Sequence, residues 1–153
     1  NIIPNEVELV GTIRTLNEKA RDHIYEALPR KVHAIAQSMR AEAEITLPLD
    51  YHYPITFNDH ALMKQVLPTL TRTAGEDNVV YSKPVTGAED FSFFQKEVPG
   101  VYLWVGGRSP DITEAQAPAH HTPEFVVQDE GMKLGVALLT NLTVDTLFNQ
   151  EQP

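Results

Sequence analysis

Val101-Tyr102-Leu103-Trp104-Val105, closed by Gly106-Gly107, is the stretch on which the fold turns. Five apolar residues in a row leave no polar face to give to water. Such a run suits a parallel strand covered by helices on both sides, and so an α/β domain. Downstream of it, a loop carries His120-His121-Thr122-Pro123-Glu124-Phe125. From about Asp129 to Phe148 the spacing predicts a helix. It puts Met132, Val136, Leu139 and Thr143 on one stripe, with Leu134, Leu138 and Leu142 beside it. Upstream, Val79-Val80-Tyr81 is a second, shorter apolar run. Thr86-Gly87-Ala88-Glu89-Asp90 leads from it into a helical stretch, Phe91 to Glu97. Before both, Ala61, Leu62, Val66, Leu67 and Leu70 recur at helical spacing, capped by Asn58 or Asp59 and stopped by Gly75. Pro68 weakens the last turn of that helix.

The first ~57 residues keep a different rhythm. Within Glu6–Leu16, Val7, Leu9 and Ile13 share one face and Glu8, Thr12 and Arg14 the other, the alternation of a half-buried strand. Asn17 is placed to cap a helix with Glu18 in its first turn, where a negative charge suits the helix dipole. Ala20, Ile24, Leu28, Val32, Ile35 and Met39 mark its apolar stripe, which Pro29 should kink or split. Alternation returns at Ala43, Ile45, Leu47, Leu49 and Tyr51. Strand–helix–strand is about half of a small α+β sandwich. The change of rhythm near residue 57 divides the chain into segments 1–57 and 58–153.

The 153 residues hide enough surface for a real core. With 42% hydrophobic and 22% charged residues, the chain is no disordered acidic tail. Twelve Lys and Arg stand against 21 Asp and Glu, a net charge of −9, with no basic run. That disfavours nucleic acid and anionic membrane surfaces as partners. No apolar stretch is long enough for a transmembrane helix. The absence of cysteine removes disulfides, thiolate zinc sites and cysteine nucleophiles. The opening Asn1-Ile2-Ile3-Pro4 has neither an initiator Met nor signal-like regions, and the expectation is a piece of a longer chain. The compartment stays open between cytoplasmic and exported.

Of the six histidines, His23, His33 and His60 fall in predicted helices among charged neighbours and read as solvated. His52 lies between Tyr51 and Tyr53 on a polar strand face, where it can touch a substrate. His120-His121 differs, because loops after strand ends are where α/β sheets place their clefts. Adjacent imidazoles in a loop fixed by proline can give one ring to a metal and the other to its neighbours, although no HExxH-like pair accompanies them. Gly87-Ala88-Glu89-Asp90 has two readings. In one, Gly87 is a turn residue and the acids start a helix. In the other, Gly87 lets the backbone approach a ligand and the acids orient a metal-bound histidine.

Four ordered stretches together resemble one family over essentially the whole chain. They are Asn1-Ile2-Ile3-Pro4-Asn5-Glu6 with Gly11-Thr12-Ile13-Arg14-Thr15, then Pro54-Ile55-Thr56-Phe57-Asn58, then Gly87-Ala88-Glu89-Asp90-Phe91, then His120-His121-Thr122-Pro123-Glu124-Phe125. Their order and separation look like the C-terminal half of the zinc metallopeptidases and amidohydrolases. That family includes aminoacylase, carboxypeptidase G, succinyl-diaminopimelate desuccinylase, and hippurate and auxin-conjugate hydrolases. The resemblance implies that residues 1–57 are the later part of a ferredoxin-like βαββαβ lid through which the protein dimerises. Residues 58–153 would be the C-terminal part of an α/β catalytic domain.

By the same resemblance, His121 is a metal ligand, while Asn1, Arg14 and Gly87 meet the substrate. Glu89, Asp90 and His120 are candidates for the layer behind the ligands. Arg suits the substrate carboxylate, since its planar fork matches it bidentately. The implied cofactor is zinc, or manganese, cobalt or nickel, with two ions in the complete enzyme. The implied substrate is an N-acyl amino acid or small peptide. The other ligands and the general-base glutamate would lie upstream, so this segment holds no catalytic group and is expected to be inactive alone. The rival readings are a non-catalytic dimerisation module and a metal-free carboxylate-binding protein using Arg14.

Overall fold

A computed structural model describes residues 1–48 and 52–149. The chain packs as two compact units. One joins Asn1–Thr56 with Lys83–Val98; the other joins Phe57–Ser82 with the chain from Pro99 onward. The first break falls next to the change of rhythm read at residue 57. Residues 83–98, assigned from the sequence to the second segment, pack with the first unit.

In the first unit, helix α1 spans Glu18–Ser38. Its cap is the expected one, with the Asn17 side chain accepting from the Ala20 amide at 3.1 Å. Pro29 lies inside α1, yet the helix is not split. The missing N–H costs one hydrogen bond, which the turns on either side absorb. Helix α3, Phe91–Glu97, matches its predicted span. Ser92 in its first turn is 1% exposed, and its hydroxyl donates to the Glu89 carbonyl at 2.5 Å. Lys96 of α3 pairs with Glu18 of α1, and that hydrogen bond holds the Glu18 carboxyl below its ordinary range.

In the second unit, helix α2 spans His60–Ala74, capped by Asp59 accepting from the Leu62 amide at 2.8 Å. It stops at Gly75, whose φ of 89° is left-handed and favours glycine. Helix α4, Asp129–Asn149, packs against α2. The core sits between them, where Leu70 and Leu138 are buried. Buried Thr69 donates its hydroxyl to Asp145, which also takes Arg72 at 2.7 Å, and Asn141 donates to Thr73 at 3.0 Å. The packing stripe of α4 is therefore the one through Leu138. Met132, Val136 and Leu139, expected to form the leading stripe, are exposed. Polar partners on α2 select the face, because Asn141 and Asp145 lie one turn apart on the side of Leu138.

The strands of the α/β expectation are not confirmed. Among the described residues no strand pairing is present, and 6–16, 41–48, 79–81 and 101–105 are irregular backbone. Leu49 and Tyr51 lie outside the described residues. Alternation marks which side chains share a face, but a strand exists only when its N–H and C=O groups pair with a neighbour. Val7 and Leu9, expected on a half-buried face, are 75% and 92% exposed. The 101–105 run finds a side chain instead of a strand. Asn58 Nδ2 donates to the Tyr102 carbonyl at 2.9 Å, and the Tyr102 amide donates to Asn58 Oδ1 at 2.7 Å. Beside this pair the Asp59 amide donates to the Gly100 carbonyl at 3.0 Å.

Candidate functional site

In the first unit the structure brings two of the expected substrate residues together. Arg14 Nη1 donates to the Thr86 carbonyl at 2.9 Å, which sets the guanidinium against the residue before Gly87. One carbonyl engages one donor of the fork, and the others remain available to an anion. A Cβ built on Gly87 would meet nothing within 4 Å, so the space over this backbone is open. Asn1 is exposed and joins neither of them. His52 sets its ring edge-on to Tyr25, with centroids 6.2 Å apart.

Glu89 and Asp90 stand just before α3, as acids that start a helix. Asp90 occupies the cap position without a side-chain cap bond, and the Glu89 and Asp90 carbonyls receive the amides of Ser92 and Phe93. Among the described residues neither carboxylate meets a histidine.

In the second unit the histidine pair sits in a loop pinned at its base. The Gln128 amide donates to the Gly107 carbonyl at 2.8 Å. Gly131, in the first turn of α4, lies so near Gly106 that a Cβ there would stand 2.5 Å from the Gly106 carbonyl oxygen. Arg108 donates to the Ile112 carbonyl, and a Thr113–Gln116 capping box starts a 3₁₀ turn, Glu114–Gln116. At the far end of the loop the Thr122 hydroxyl donates to the Ala119 carbonyl at 2.8 Å, and the Phe125 amide to the Thr122 carbonyl at 3.1 Å. His121 stands in this turn with φ of 63°, a left-handed backbone on a non-glycine residue. The His120 ring packs on Phe125, centroids 4.8 Å apart and planes at 62°.

As a metal site, this arrangement offers one exposed imidazole at His121. Among the described residues, no three His, Asp or Glu side chains come together to hold an ion. Even catalytic zinc centres use three protein ligands. The residues present therefore fit one ligand position and no complete centre.

Three contributors were not read from the sequence. Thr86 acts through its carbonyl, which every residue type possesses. Asn58 reads from the sequence as a cap and as the end of the Pro54–Asn58 stretch, not as the partner of Tyr102, and Arg108 gives no signal beyond following Gly106-Gly107. Among the described residues, no helix is long and apolar enough to cross a membrane.

The sequence profile of Peptidase family M20/M25/M40 matches residues 4–145. The chain is 35% identical over 135 residues to "Thermostable carboxypeptidase 2" of Saccharolobus solfataricus, covering 88% of this chain and 33% of that protein. It is 28% identical over 148 residues to "N-acetylcysteine deacetylase" of Bacillus subtilis, covering 96% and 36%. It is 27% identical over 154 residues to "IAA-amino acid hydrolase ILR1-like 4" of Arabidopsis thaliana, covering 97% and 34%. The chain thus spans about a third of the length of the curated relatives it matches. No solved structure matches it.

Proposed function

This chain belongs to peptidase family M20/M25/M40, and on that premise we propose that it is part of a metal-dependent hydrolase cleaving the amide bond of N-acyl amino acids or small peptides. Relatives named as a carboxypeptidase, a deacetylase of N-acetylcysteine and an IAA-amino acid hydrolase support that substrate class. The observation that carries the reading is Arg14, whose guanidinium is held against Thr86 beside the open backbone of Gly87.

In this reading Arg14 and Asn1 take the substrate carboxylate, and Gly87 leaves the backbone bare where the substrate passes. His121 gives one ligand to the metal, with His120 beside it in the same loop. The metal is zinc, or manganese, cobalt or nickel, with two ions in the whole protein. When bound, it supplies an activated water and a positive charge for the developing oxyanion. The remaining ligands and the general base belong to parts of the protein beyond this third, and residues 1–57 carry its dimer contact. The chain's own work is to grip the carboxylate, so that the scissile amide arrives in one register.

The test is made on the complete protein. Metal per chain is measured after dialysis, alongside turnover of N-acyl amino acids with a free or an amidated carboxylate. One or two metal ions and a strong preference for the free carboxylate are expected. A protein that binds no metal and turns over neither substrate is a binding or dimerisation module instead.

A further inference from the structure

The turn around the histidine pair assigns its two rings different work. His121 has the left-handed backbone, which is uncommon for a residue bearing a Cβ and is helped by contacts that close the turn around it. Two hydrogen bonds close the turn, from the Thr122 hydroxyl to the Ala119 carbonyl and from the Phe125 amide to the Thr122 carbonyl. Both involve the residues flanking His121 and leave its own side chain alone. The third closure is the packing of His120 on Phe125, one ring from each side of His121. Among the described residues His120 makes no side-chain hydrogen bond, so its ring is engaged while its nitrogens are not.

We propose that His120 is a positioning residue that acts as an aromatic ring: packed edge-on against Phe125, it holds the left-handed turn and so sets the direction of the His121 imidazole. The proposal rests on the reading of His121 as a metal ligand for its consequence, although the ring pair and the turn stand without it. It departs from the expectation that His120 works through a nitrogen behind the ligands. A direction fixed before the metal arrives spares the loop an ordering step on binding, which is what preorganisation contributes.

The test compares His120→Phe, His120→Ala, Phe125→Leu and His121→Ala in the complete protein. Zinc affinity is measured by chelator competition, and NMR is recorded on the zinc-free protein. Ring packing of this kind corresponds to roughly 2–10-fold in an equilibrium constant. His120→Ala and Phe125→Leu should each weaken zinc by about that factor, and together by no more than either alone. His120→Phe, which keeps a ring and loses both nitrogens, should restore the affinity. The NMR arm does not depend on zinc. His120 ring protons should be displaced from their random-coil positions and return to them in Phe125→Leu. The backbone shifts of His121 should leave their left-handed values in His120→Ala but not in His120→Phe.

If His120→Phe is as weak as His120→Ala, the nitrogens matter and the proposal is overturned. Random-coil ring shifts for His120 in the parent protein overturn it as well, as does a harmless His120→Ala. Zinc affinity untouched by His121→Ala refutes the ligand reading instead, and the NMR arm then decides the positioning role alone.

Discussion

Arg14 and Gly87 show how little chemistry a side chain reveals until its neighbour is known. The choice of Arg for a carboxylate follows from its fork, but the atom that holds that fork is the carbonyl of Thr86, which no pattern marks. A charge-assisted hydrogen bond contributes about 1.5–3 kcal/mol, so Arg14→Ala should lower kcat/KM roughly 10–150-fold on substrates with a free carboxylate. Metal content should not change, and amidated substrates should be turned over poorly by both proteins. An equal loss on free and amidated substrates would remove the clamp from the mechanism. Gly87→Ala separates packing from binding. Its Cβ meets nothing in the fold, so stability should move by no more than about 0.5 kcal/mol while KM rises. A large loss of stability in urea would make Gly87 a structural residue.

At the scale of elements, legibility followed locality. Helices α1 and α2 are readable because their caps are local, Asn17 to Ala20 and Asp59 to Leu62. α3 is read over its full span. The strands are not, because pairing is a property of two segments, and Val101–Val105 shows only its own apolar half. The hydrogen bonds that tie Tyr102 to Asn58 span 44 positions. The left-handed φ of His121 left only a weak signal, since histidine adopts it more readily than most residues but still uncommonly.

Helix α4 offers a paired experiment. Gly131→Ala presses a methyl into the Gly106 backbone and should cost about 1–3 kcal/mol, whereas Gly135→Ala meets nothing and should stabilise the same helix by about 0.5–1 kcal/mol. Urea unfolding of both variants checks the contrast, and similar effects at the two sites would deny the close approach. Asp145 adds a pH dependence. The Thr69 hydroxyl first, then Arg72, hold its carboxyl below the usual range. A depressed carboxyl contributes stability above its unfolded value of about 3.9, and that contribution fades as the folded group takes up its proton. The melting temperature should therefore fall with acid below about pH 4, and Asp145→Asn should flatten that part of the fall.

For the whole molecule, exposed apolar surface leads to a prediction about residues 1–153 alone. Ile2 is 96% exposed, Leu9 92%, Tyr81 82% and Leu139 70%. Apolar side chains left open in such number favour association. The isolated chain should self-associate in sedimentation, bind no stoichiometric zinc after dialysis, and leave hippurate-like substrates intact. A monodisperse monomer that hydrolyses them would place the missing ligands among residues described above as structural.

The interleaving of the two units has a consequence in time as well as in space. The ribosome completes α2 about 55 residues before it begins α4, the element that covers Leu70. At roughly 5–20 residues per second, that gap lasts about 3–11 s. The first unit must likewise wait for 83–98. During those seconds the stripe of α2 has no α4 to cover it, so the pace of synthesis sets how long that apolar surface stays open to other contacts.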